Sequence, residues 1–301
     1  MNSLLKTTRK FGTHLRLQNS YTELLSQAVE LNLPYVQFFL TPSTKKNNYL
    51  ALTASDKKSF LEKRAHLEKL FIHSSYWINP ATVKEESSAV AWYLLNKEIA
   101  LAQELEFSAL VLHPGTVTGF TSHQNITLNT INKEVSNKVS DQDQISHNKN
   151  NSYNTLYKES DAHITIGINQ VTKLLNRIMK KHRGITILLE NTAHGNYTIG
   201  NDFNHYARIR EKSDFPERLG FCLDTAHAHV FGYDLTRVEQ FYILLMQAIT
   251  PQELQLIHLN DTLESCGSKK DSHLLPGTGV LGKELLKKIV SEPIAQQVPL
   301  I

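Results

Sequence analysis

The chain has 301 residues, 41% of them hydrophobic, with 32 basic against 29 acidic side chains and a formal charge of +3. That is enough apolar material for one large α/β domain, and the near-balanced charge permits an anionic partner without requiring one, because a local patch matters more than a total. Two cysteines, Cys222 and Cys266, exclude a disulfide framework and a four-thiolate zinc site, no run approaches the roughly 20 apolar residues of a membrane span, and Met1 to Arg9 lacks the apolar centre of a secretory signal, so the chain reads as intracellular, cytoplasmic or nucleoid/nuclear.

Short β-type runs alternate with longer stretches of helical period. The pattern predicts strands at 10–16, 35–40, 71–76, 109–113, 185–190, 219–224, 254–259 and 298–301, with helices at 20–31, 56–70, 85–106, 163–182, 201–212, 234–249 and 281–291 between them. Ser55 is the expected N-cap of the second helix, ahead of Phe60, Leu61, Leu67 and Leu70 on one face. Repeated βα units of this number spell a (β/α)8 TIM barrel in a single domain, 1–301, whose eighth strand, VPLI, runs to the end of the sequence. From about 118 to 161 the chain turns rich in Asn, Ser, Lys, Asp and Gln without sustained period, which predicts a polar disordered insertion at the rim where βα loops surround a barrel mouth.

Five apolar runs end on a residue able to bind a metal: LFIH at His73, ALVLH at His113, ITILLE at Glu190, RLGFCLD at Asp224 and LQLIH at His258. A buried strand has no structural use for a terminal imidazole or carboxylate, and in a parallel barrel the strand C-termini meet on one face, so the five converge. Past Asp224, His227 follows at a spacing that shares a face if a helical turn follows the strand. Asp271 and His273 alternate, so an extended backbone points both the same way. Histidines and carboxylates without paired cysteines suit zinc, manganese or iron, and imidazoles favour zinc over magnesium. His14, Gln37 and Phe39 are expected to line the mouth, and His229 to support the site rather than join it. The remaining histidines at 66, 123, 147, 163, 182 and 205 read as surface or packing residues.

Taken in order, FGTH, HSSYWIN, LVLHPG, LLENTA, GFCLDTAHAHVFGYD and HLNDTLESCGSKKDSHLLPGTGVLG resemble the endonuclease IV family of apurinic/apyrimidinic endonucleases across most of the chain. The resemblance implies a trinuclear zinc barrel that hydrolyses the phosphodiester 5′ to abasic sites in double-stranded DNA during base excision repair, acting as a monomer. It assigns His73 and His113 to one zinc, with the catalytic Glu190 bridging to a second held by Asp224 and His258. It assigns His227, Asp271 and His273 to the third, and Tyr76 and Gln37 to contacts with DNA. The family carries a further glutamate just beyond its eighth strand and then a last helix; the sequence ends at Ile301, so the barrel is expected to be cut short there, with one metal site incomplete. LRLQNS stands where the family has a glycine-rich turn, and His194 follows ENTA in place of a glycine. Two other functions compete: a metal-dependent sugar isomerase or epimerase on the same barrel, and a non-catalytic protein that binds damaged DNA. The paired donors Asp224/His227 and Asp271/His273 exceed what a mononuclear or dinuclear sugar site needs.

Overall fold

The structure, a computed structural model, describes residues 9–41, 49–119 and 151–301, with the helix backbone alone over 151–160. Among them, seven parallel strands follow chain order around one sheet: β1 (Thr13–His14), β2 (Tyr35–Phe39), β3 (Lys69–His73), β4 (Ala109–Leu112), β5 (Thr186–Glu190), β6 (Leu219–Asp224) and β7 (Leu254–His258). The ring closes through the last residues. Ile257 pairs in parallel with Leu300, and the Gly12 N–H donates to the Leu300 carbonyl at 2.8 Å, so 298–301 fills the eighth position between β7 and β1. Gly12 lies so close to β2 that a Cβ there would meet the Tyr35 carbonyl oxygen at 2.2 Å, which is why this closure needs glycine. The fold is therefore an α/β TIM barrel.

Among the described residues, eight α-helices pack among these strands: α1 (Tyr21–Glu30), α2 (Ala54–Arg64), α3 (Glu85–Glu104), α4 (Asn151–Lys181), α5 (Phe203–Lys212), α6 (Thr225–Phe231), α7 (Val238–Leu245) and α8 (Gly282–Ser291). Both faces of the strands are buried, as parallel strands flanked by helices require. Outward residues such as Val36, Ile72, Leu110, Ile187, Leu223 and Ile257 join the large core beneath the helices. Inward residues form a second, smaller cluster of Phe71, Ala109, Val111, Leu188, Cys222 and Leu256, with Ile301 packed against it.

Several expected boundaries move. The second helix is capped by Thr53 rather than Ser55: Thr53 Oγ1 accepts from the Asp56 N–H while the Asp56 carboxylate accepts from the Thr53 N–H, both at 3.1 Å, a reciprocal pair that Ser55 cannot make. That helix stops at Arg64, because the Glu68 and Lys69 amides turn to the Pro34 carbonyl and start β3 two residues early, leaving Leu67 in the connection and Leu70 in the strand. β3 ends at His73, so 74–76 are loop. The run at 234–249 contributes only α7, and the residues directly after β6 form α6 instead. Of the stretch 118–161, residues 120–150 lie outside the described residues. Thr118 is tied to Thr82 by hydroxyls 2.9 Å apart, and α4 already begins at Asn151, so 151–161 is helix, as expected when an established helix propagates one bond per added residue.

Candidate metal centre

Alternation of two builds the site. One step along each strand from the inward apolar layer, the next inward side chain is His73 above Phe71, His113 above Val111, Glu190 above Leu188, Asp224 above Cys222 and His258 above Leu256. Strand register holds Glu190 level with Cys222 and Asp224 level with His258. His73, His113, Glu190 and His258 line a cavity of about 380 Å³ at the C-terminal end of the barrel, rimmed by His14, Phe39 and Tyr76, with Asp224 buried directly behind them.

Glu190 is the hub. Its Oε2 lies 3.1 Å from His73 Nε2 and 3.0 Å from His113 Nε2, while Oε1 lies 2.9 Å from His258 Nδ1. Burial alone would raise its carboxyl, but the imidazoles of His258 and His113 hold it well below the usual carboxylate range. Burial likewise disfavours charge on His73 and lowers its pKa despite Glu190. On His258 burial is outweighed by Glu190 and Asp224, which raise it. His73 Nδ1 faces the Ser74 carbonyl at 2.9 Å and His258 Nε2 faces Gln37 Oε1 at 3.1 Å, so each ring is turned by its outer nitrogen.

The second half of the site follows β6. Asp224 caps α6, its Oδ1 accepting from the His227 N–H at 2.8 Å, which leaves Oδ2 to the Asn260 amide and toward His258 and His273. Asn191 grips the same residue from β5, accepting from the Asp224 N–H at 2.7 Å and donating to the Asp224 carbonyl at 3.0 Å. His227 Nδ1 is held by the Asn191 carbonyl at 2.8 Å, and its Nε2 meets Asp271 Oδ1 at 3.3 Å and His273 Nε2 at 3.1 Å. His273 Nε2 is also 3.2 Å from Asp271 Oδ1 and 3.7 Å from Asp224 Oδ2. Burial opposes charge on His227, yet Asp224, Asp271 and Glu190 push it up to about 10. Asp271, which burial would raise, is pulled down to about 2, chiefly by His227.

Among the described residues, three groups of donors lie close enough to hold a metal ion, with ligand atoms within 4.8 Å of one another: His73, His113 and Glu190; Glu190, Cys222 and His258; and Asp224, His227 and His273. Ions bound at 2.0–2.1 Å in a tetrahedron separate their ligand atoms by about 3.3 Å. The spacings here, from 2.9 Å for Glu190 and His258 to 3.8 Å for Asp224 and His258, straddle that edge length. Three carboxylates, Glu190, Asp224 and Asp271, converge on one cavity and call for compensating positive charge. The donor set therefore fits metal ions. Cys222 is the exception: burial, then Glu190 and Asp224, push its thiol well above its ordinary value, and it packs as a member of the apolar layer below.

A family model described as a xylose isomerase-like TIM barrel matches residues 25–295. A probable endonuclease 4 from Clostridium beijerinckii is 32% identical over 297 residues, covering 96% of this chain and 90% of its own length. The chain belongs to the endonuclease IV family. Another probable endonuclease 4, from Thermosipho melanesiensis, is 27% identical over 300 residues, 97% of this chain and 90% of that protein. Among solved structures, endonuclease IV from Thermus thermophilus superposes with a TM-score of 0.73 at 20% identity, covering 97% of this chain and 91% of that one. An L-ribulose 3-epimerase shares the barrel at a TM-score of 0.58 and 14% identity.

Of the eight donors expected of an endonuclease IV sequence, seven line this one cavity, and the eighth, Asp224, lies buried within 3.8 Å of His258 and 3.7 Å of His273. Tyr76 stands over it on the loop after β3, 71% exposed, with its ring 5.1 Å from Phe39 and 5.8 Å from His113. Gln37, expected at the mouth and near DNA, also lines the cavity. It is 2% exposed and both ends of its amide are occupied, Oε1 by His258 Nε2 and Nε2 by His14 Nδ1, each at 3.1 Å, so it holds those two rings in place. His229, two residues along α6 from His227, is turned away from the cavity, and His182 and His205 pack between elements. His123 and His147 lie outside the described residues. Sequence reasoning missed Asn191, Asn260 and Asp261. Asn260 Nδ2 donates to Asp224 Oδ2 at 2.6 Å, and its only advance signal was its place directly after the strand-end pair His258 and Leu259.

Proposed function

We propose that the chain is a zinc-dependent hydrolase that cleaves the phosphodiester 5′ to an abasic site in double-stranded DNA, as part of base excision repair. The observation that carries this reading is that donor groups share members: Glu190 spans two of them, and Asp224 stands between His258 and His273. A mononuclear sugar site needs no such sharing, and a dinuclear one needs fewer donors than the eight gathered here. The relatives' name, probable endonuclease 4, supports the same reading.

His73, His113 and Glu190 would hold one zinc; Glu190, Asp224 and His258 a second; and His227, Asp271 and His273 a third. Bound zinc would lower the pKa of water and stabilise charge on the phosphoryl oxygens and leaving group. The chain's own part is to orient and to exclude. Glu190 remains charged in a dry floor, the outer partners Ser74, Gln37 and Asn191 fix the rings, and exposed Tyr76 offers an aromatic face to a nucleotide entering the cavity. A cavity of about 380 Å³ suits one sugar-phosphate unit turned out of a duplex, which is cheapest where the base is already missing.

The test joins elemental analysis to incision of a duplex carrying a single abasic site. Expected are more than one zinc per chain and products ending in a 3′ hydroxyl and a 5′ deoxyribose phosphate. At most one zinc under saturating metal would sink the reading, and tight abasic-DNA binding without cleavage would replace it with the non-catalytic one.

A further inference from the structure

Residues 262–282 leave the barrel after β7, carry Asp271 and His273 across its mouth, and turn into α8. Beyond one antiparallel bridge, Asp261 with Leu274, this stretch has no regular structure, yet two of the donors ride on it. Its order traces to one side chain. The Asp261 carboxylate is fully buried and accepts five backbone N–H groups: Oδ1 from Thr262 at 2.8 Å and Leu281 at 2.9 Å, and Oδ2 from Gly277 at 3.1 Å, Gly279 at 2.9 Å and Gly282 at 3.0 Å. A Cβ on Gly279 would stand 2.2 Å from the Thr262 carbonyl oxygen and 2.5 Å from Asp261 Oδ1, so this close wrap requires glycine. Such a ring of amides normally cradles an external anion; here the chain supplies its own. Burial would raise the Asp261 carboxyl, but the amides of Gly279 and Thr262 lower it, so it stays charged.

The consequence for the donors is directional. Asp261 exchanges backbone hydrogen bonds with Leu274 at 3.0 and 2.7 Å, and the Ser272 hydroxyl meets Thr262 Oγ1 at 2.9 Å. With Ser272 pinned down onto residue 262, alternation turns its neighbours Asp271 and His273 the other way, toward His227. We infer that Asp261 is a positioning residue, which presets the 262–282 loop so that Asp271 and His273 face His227 before a metal ion binds. This rests on reading those three residues as metal ligands. Without the preset, the entropy of ordering the loop would be taken from the ion's binding energy.

The test uses the full chain with Asp261→Asn, which keeps the shape but points an amide N–H₂ at amides. Expected are an affinity for one zinc at least tenfold weaker while the other zinc is retained, incision that recovers as zinc is raised, and trypsin cleavage after Lys269 or Lys270 at least tenfold faster in chelator. Gly277→Ala, which strains the φ of +84° that delivers one of the five N–H groups, should move all three readouts the same way by less. Unchanged zinc affinity and unchanged cleavage in Asp261→Asn overturn the inference, or in Gly277→Ala should the Asn variant not fold. If the unmodified chain takes up no zinc, the ligand reading fails instead, and the trypsin comparison alone decides whether Asp261 fixes the loop.

Discussion

The two halves of the donor set are held by different means. His73, His113, Glu190 and His258 end parallel strands, and their directions follow from the barrel's register and from the apolar residues two positions earlier. His227, Asp271 and His273 sit on a seven-residue helix and a loop, and the latter two are exposed. The first half inherits its geometry from the whole fold. The second depends on a few local hydrogen bonds, the Asp224 cap and the Asp261 wrap foremost, so it is the half that a single substitution can disorganise without disturbing the barrel.

Glu190→Gln should strike hardest, because both of its oxygens serve different donors. Zinc content should fall by at least one ion, and incision by roughly a thousandfold, equivalent to about 4 kcal/mol of lost transition-state stabilisation. Asp224 ties the halves together, and its two variants separate its tasks. Asn and Ala should both lose metal, but only Ala loses the cap on α6, so denaturant unfolding of metal-free protein should place Ala about 1 kcal/mol below Asn. His273→Ala should remove the loop-borne ion alone, with roughly thirtyfold slower incision, about 2 kcal/mol. Loss of all zinc from that variant would show that the halves are not separable.

The smallest effect on the centre itself concerns what underlies the strand-borne half. Glu98 on α3 is buried and accepts from the Ser75 N–H at 3.2 Å, between His73 and Tyr76, while its Oε2 has no hydrogen-bond partner. Burial, only partly opposed by Ser75 and Tyr49, pushes its carboxyl up from 4.5 to about 8. A raised carboxyl binds its proton more tightly folded than unfolded, so its contribution is fully present below about 4.5 and is lost as pH rises through about 8. Metal-free protein should therefore lose roughly 1 to 3 kcal/mol of stability between pH 5 and 8. Glu98→Gln should flatten that slope in denaturant titrations while leaving zinc content unchanged.

Both halves were legible, His227, Asp271 and His273 from short-range spacing and the strand-borne donors more directly. A buried parallel strand is an apolar run of known length, so a polar residue at its end stands out, and the barrel does the rest of the geometry. Boundaries were poorer where local hydrogen bonding decided them. Thr53 outcompetes Ser55 because only Thr53 stands three residues before Asp56, and α7 is shorter than its apolar pattern because 234–237 turn before it. Gln37 was expected near DNA from the family resemblance, whereas its amide is enclosed by two imidazoles from other strands, a long-range fact that periodicity does not carry. Asp261 was invisible for a related reason. Its partners lie up to 21 positions away, and a lone aspartate after a strand looks the same whether it caps a turn or gathers five amides.

The apolar layer of Phe71, Val111, Leu188, Cys222 and Leu256 has a kinetic corollary. Among the described residues it closes the barrel beneath the donors, so the donor cavity is a cup opening at the rim that Tyr76 overhangs. A nucleic-acid strand lying across that rim would act as a stopper for the ions beneath it. Chelator should strip zinc from the protein more slowly when an abasic duplex is bound than when the cup stands open, and the retardation should be greatest for an ion held on the most deeply buried donors, Glu190, Asp224 and His258.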